Sequence, residues 1–220
     1  NGGMAQIHGA LISLDPSVDL SIVYRNYGRD FHNNLSNGFA ENSKNINEKG
    51  IMIGIKLSRG KRLVMNAYLD QFKFPWLKYL VDKPNTFGHD YLVQLQYKPS
   101  KKLIMYGRIR SRDKPINTSE DINDIDFVVA KKQTNYRYNI TYKVSESVTL
   151  RNRIELVDYQ RGPGQKEQGY LVYQDILYKP LSSNFSFSFR YALFETDSYN
   201  SRIYAYENDV LYYFSIPAYY

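Results

Sequence analysis

A chain of 220 residues and 25.8 kDa is long enough for one large domain or two small ones. Aromatic residues make up 15% and include 22 tyrosines, too many for a disordered chain, and the absence of cysteine excludes disulfide scaffolds and Cys-ligated zinc or iron–sulfur centres. Lys and Arg exceed Asp and Glu by 29 to 22, and the resulting +7 suits polyanionic partners, although no lysine-rich tail or basic helix concentrates it.

Period-two alternation, which marks a strand, recurs in segments of about ten residues. A weak strand is predicted at 4–14. In 18–25, Val18, Leu20, Ile22 and Tyr24 oppose Asp19, Ser21 and Arg25. In 51–58, Ile51, Ile53, Ile55 and Leu57 oppose Gly54, Lys56 and Ser58. Next, Leu63, Met65, Ala67 and Leu69 oppose Asn66 and Asp70, and Tyr91, Val93, Leu95 and Tyr97 oppose Gln94, Gln96 and Lys98. Leu103, Met105 and Ile109 oppose Tyr106, Arg108 and Arg110, while Tyr136, Tyr138, Ile140 and Tyr142 oppose Arg137, Asn139, Thr141 and Lys143. Val148, Leu150, Ile154 and Leu156 oppose Arg151, Arg153 and Glu155. Phe185, Phe187, Phe189 and Tyr191 oppose Ser186, Ser188 and Arg190, and weaker strands are predicted at 169–178 and 201–214. No helix is predicted.

Connections alternate in length. Short turns sit at 15–17, 59–61, 98–101, 145–147 and 179–182, each with the Pro, Gly or Ser of a tight hairpin, and longer polar loops separate them. A mean hydropathy of −0.53 and the lack of any apolar run near 18 residues exclude a spanning helix, but a barrel strand turns only every second residue to lipid. Long strands, short turns at one end and long loops at the other therefore predict an all-β, up-and-down antiparallel transmembrane β-barrel. About 11 to 12 strands are visible and the chain stops at Ile216–Tyr220 without a clear closing strand, so residues 1–220 are expected to be a single incomplete domain of a larger even-numbered barrel.

The stretch Arg190–Asp209, together with Phe74-Pro75-Trp76-Leu77 and Lys114-Pro115-Ile116-Asn117, resembles the barrel half of large Bacteroidota outer-membrane proteins labelled by a helix-hairpin-helix segment. The resemblance implies a Gram-negative cell outer membrane and a longer parent protein, and it carries over no site residues.

On this reading the polar rows line a lumen. Arg108, Arg110, Arg137, Arg151, Arg153 and Arg190 form a basic cluster there that would favour anions in a porin-like channel or transport pore, or else tie strands together by ion pairs with Asp90 and Glu155. Tyr24, Phe74, Trp76, Tyr91, Tyr97, Tyr142, Tyr178 and Tyr191 are expected to form the aromatic girdle at the lipid boundary. The expected partners are outer-membrane lipid, lipopolysaccharide and other envelope proteins. Tyr and Arg interleave as in single-strand nucleic-acid grooves, but the pattern repeats over too long a chain for such a module, so no nucleic acid is expected.

Two alternatives stand beside the channel or envelope component. His32-Asn33-Asn34-Leu35-Ser36-Asn37-Gly38 is similar to the His-x-Ser-Asn-Gly signature of outer-membrane phospholipase A, but His and Ser are four apart rather than two, and a polar Asn- and Ser-rich loop explains the segment as well. The second alternative is a soluble β-sheet binding domain, whose strands would alternate in the same way. Three scattered histidines make no metal site, no phosphate-binding glycine loop follows a strand, and no enzyme activity or cofactor is expected.

Overall fold

The computed structural model describes residues 2–33, 38–118, 125–209 and 213–220. Ten antiparallel strands follow one another in chain order across a single sheet. They are β1 (Ala5–Asp15), β2 (Val18–Tyr27), β3 (Glu48–Arg59), β4 (Leu63–Phe74) and β5 (Thr86–Tyr97). Then come β6 (Leu103–Asn117), β7 (Val128–Lys143), β8 (Val148–Arg161), β9 (Glu167–Tyr178) and β10 (Phe187–Thr196). The predicted strand at 201–214 is replaced by a short 3-10 turn at Tyr199–Ser201 and a two-residue strand β11 (Ile203–Tyr204), which pairs with β12 (Ala218–Tyr219). The tight turns fall where Gly and Pro predict them, and Gly60, with φ of 59°, supplies the left-handed residue between β3 and β4.

The sheet is all-β and antiparallel as the alternation requires, but it is open. β1 pairs only with β2 and β10 only with β9, so both outer strands are edges. This corrects the transmembrane barrel and, with it, the channel, the envelope component, the outer-membrane location and the lipid and lipopolysaccharide partners. In hydrocarbon the unpaired N–H and C=O groups along such edges would find no partner. No helix among the described residues is long and apolar enough to cross a membrane. The open sheet and its buried ion pairs favour the β-sheet domain over the barrel.

Register sorts the side chains as the pattern predicts, into one apolar and one polar face, but it is the polar face that is buried. Ile53 on the apolar face is 47% exposed, whereas Arg25, Glu48, Asp70, Asp90, Glu155 and Asp175 on the polar face are almost fully enclosed. Segments beyond the strands enclose them. At one side the β2–β3 loop returns over the sheet, where the Glu41 and Asn42 backbone N–H groups donate to the Glu48 carboxylate and Lys114 Nζ on β6 binds Glu41 Oε2 at 2.6 Å. Asn47, at φ of 53°, joins this loop to the β4–β5 loop by accepting from the Trp76 N–H and donating to the Trp76 and Leu77 carbonyls. At the other side the C-terminal segment packs Ile203, Ala205 and Tyr219 against Val157, Leu171 and Tyr173 of β8 and β9.

Candidate functional site

Between those two covered ends the polar face is dominated by arginine. Pairing registers place Gln94, Arg108, Arg137, Glu155 and Leu171 in one row across β5 to β9. The next row holds Tyr106, Asn139, Arg153 and Tyr173, and the one after it Thr141, Arg151, Asp175 and Arg190. All six arginines of the sequence-predicted cluster thus share one face, as period-two geometry demands.

Their partners divide them. Arg110 binds Asp90 through Nε and Nη2, the latter at 2.5 Å, and Arg112 joins the same carboxylate at 3.2 Å. Arg190 binds Asp175 in a two-pronged contact at 2.6 and 2.8 Å, although the register sets Arg151 opposite Asp175. Arg137 Nε meets Glu155 at 2.7 Å, and Arg153 Nη2 reaches the same Glu155 while also donating to the Tyr204 carbonyl at 3.0 Å. Among the described residues, neither Arg108 nor Arg151 has a carboxylate within ion-pair distance, and Arg153 Nε is buried without a hydrogen-bond partner. Arg137 and Arg153 therefore share one carboxylate, and Arg108 stands beside Arg137 in the same row.

Electrostatics follow the same division. Burial pulls the Arg108 guanidinium down, and the neighbouring Arg137 charge adds to it. Burial likewise lowers Arg137, and burial plus the Arg137 charge takes Arg153 down to about 10. The opposite holds for Arg110, raised chiefly by its hydrogen bonds to Asp90. Arg190 is raised too, because bonds to Asp175 and the Tyr219 hydroxyl outweigh the effect of burial. A desolvated cation cluster short of negative charge is the electrostatic setting in which an added carboxylate or phosphate is favoured.

The remaining sequence-predicted residues lie elsewhere. Tyr24, Tyr91, Tyr97, Tyr142, Tyr178 and Tyr191 all stand exposed on the apolar face. Trp76 is exposed in the β4–β5 loop, whereas Phe74 turns to the polar face and is fully buried there, with Lys78 Nζ over its ring at 3.7 Å. Ser36 of the phospholipase-like segment lies outside the described residues. Among the described residues no cluster of three His, Asp or Glu is placed to hold a metal ion. A hollow of about 740 Å³ opens on the apolar face among Tyr24, Ile51, Phe87 and His89, away from the arginines. It lacks their convergent charge.

Sequence reasoning missed Arg112, Glu48, Asp175 and the C-terminal cover. Arg112 extends the Arg108 and Arg110 alternation by one step and was legible from it. Glu48 and Asp175 were not, since a predicted loop and a weak strand concealed their facing.

No family model, no curated protein and no solved structure matches the chain, so the resemblance to Bacteroidota outer-membrane barrels is corrected by the open sheet without support from any other comparison.

Proposed function

We propose that the chain is a β-sheet binding domain that takes an anionic ligand, carboxylate or phosphate, on the arginine rows of β6, β7 and β8. The observation that carries this reading is the sharing of Glu155 by Arg137 and Arg153 with Arg108 unpaired beside them. Arg108 and Arg151 supply the free guanidinium forks for planar recognition, and Tyr106 and Asn139 lie in the row between them. Nothing in the rows acts as a nucleophile next to a base, so the role proposed is binding rather than catalysis.

Titration calorimetry with inorganic phosphate and with citrate tests it. Saturable binding is expected, weakened roughly 10-fold or more by Arg108→Gln, since a charge-assisted hydrogen bond contributes about 1.5–3 kcal/mol. Phosphate preference over citrate would favour a phosphoryl ligand and the reverse a polycarboxylate. Absence of binding to both, or binding indifferent to Arg108→Gln, would overturn the assignment.

A further inference from the structure

The two edges of the sheet are guarded very differently. β10 carries Arg190 in its ion pair with Asp175, and the C-terminal segment leans on it through Phe194 against Tyr219, ring centroids 5.2 Å apart. β1 has no such protection. From Ala5 to Leu14 it contains no Pro, Lys, Arg, Asp or Glu, and its only irregularity falls at the turn end, between Ser13 and Asp15. Proteins ordinarily blunt an edge with one of these devices, because a bare row of N–H and C=O groups accepts another strand.

The side chains of β1 are also those of an interior strand. Ile7 and Leu11 point to the polar face and Ile12 to the apolar one, and Leu11 is 78% and Ile7 53% exposed. Gly9, between Ile7 and Leu11 on the same face, has no atom within 4 Å of where a Cβ would stand. An apolar strand on both faces with a glycine at its middle is suited to close approach by a neighbouring backbone.

We propose that β1 is the interface of a homodimer, in which the β1 strand of a second copy pairs with it antiparallel about a two-fold axis. A second copy fits because an uncharged strand laid against itself sets no like charges opposite each other from Ala5 to Leu14. The symmetric pair closes at two copies and leaves only the guarded β10 edges outward, whereas β1 meeting β10 head to tail would leave a β1 edge free at every step and grow without end. Opposed residues in an antiparallel pair share a face, so the polar and apolar faces of the two copies each become continuous.

Light scattering coupled to size exclusion should show a dimer that dissociates on dilution. Leu11→Lys should weaken it at least 10-fold, while Phe189→Lys on β10 should leave it intact. Because the chain has no cysteine, single-cysteine variants along Gln6–Ile12 report the contact independently of any folding defect in Leu11→Lys. Mild oxidation should cross-link dimers with one maximum along β1, at the residue on the two-fold axis. A monomer at every concentration, a ladder of higher oligomers, loss of the dimer in Phe189→Lys alone, or background cross-linking throughout β1 would each overturn the proposal.

Discussion

Two arginine clusters on the same face of the sheet are built to opposite specifications. At the β2–β4 end, Arg25 is fully enclosed yet has its Nε on Glu48 at 2.6 Å and both Nη atoms on Asp70 at 2.8 and 3.0 Å. Although burial pulls it down, those bonds hold its pKa above the ordinary value, and Phe39 lies over the guanidinium at 4.9 Å. On β6 to β8 the ratio is inverted: Arg137 and Arg153 share Glu155, and Arg108 beside Arg137 has no carboxylate within ion-pair distance among the described residues. The first cluster closes its own charge account and holds strands together. The second leaves positive charge for something outside the chain.

The sharpest way to break this contrast is to remove a member of the closed cluster. Asp70→Ala leaves Arg25 enclosed with one carboxylate fewer and should cost about 3–5 kcal/mol, measured as a fall in the urea midpoint. Glu155→Gln attacks the open cluster and should cost roughly 1.5–3 kcal/mol, but with a distinguishing feature: added phosphate should restore part of the loss, because the anion replaces the missing charge. Rescue of Asp70→Ala by phosphate to the same extent would erase the distinction between the clusters. Arg108→Gln should change stability by no more than about 0.5 kcal/mol, since no ion pair is lost, even as it weakens anion binding.

A pH dependence marks a flaw in the closed region. Lys78 donates to Asn42 Oδ1 at 2.9 Å and has no carboxylate within ion-pair distance among the described residues, and burial together with the nearby Lys114 charge lowers its pKa to about 8. Unfolded, it would titrate near 10.5. Between those values the unfolded chain holds a proton that the folded chain has shed, so stability should rise as pH increases from about 8 to 10.5. Lys78 remains partly open to solvent, which reduces the amplitude. Urea titrations across that range should show a shallower rise in Lys78→Met than in the parent chain.

Much of this arrangement could be read from the residues. Alternation at Tyr136, Tyr138, Ile140 and Tyr142 against Arg137 and Asn139 defined both the strand and its faces, and the same logic brought Arg108, Arg137 and Arg153 together. What alternation cannot contain is closure, which depends on strand number, stagger and tilt rather than on which residues face inward. The faces suit a barrel, but the edge strands β1 and β10 do not pair to close one. Phe74 failed for a related reason: in Phe72-Lys73-Phe74 the phenylalanines follow the polar face, where the flanking loops bury them, while Lys73 takes the apolar side. The C-terminal cover was illegible because Ile203, Ala205 and Tyr219 are held by tertiary packing and only two-residue strands.

Each of the ten strands bonds only to its neighbours in the chain, and this bears on how the molecule assembles. Every step of sheet growth closes a loop no longer than one connection, so the entropy of chain closure stays small compared with folds whose first and last strands must meet. Folding should run as successive hairpin addition, fast for an all-β protein of this size, and a nascent chain can lay down finished sheet behind the segment still being synthesised. The latest events are then the long-range ties, the Lys114–Glu41 contact and the docking of the C-terminal segment, which makes the arginine face the last surface to be completed.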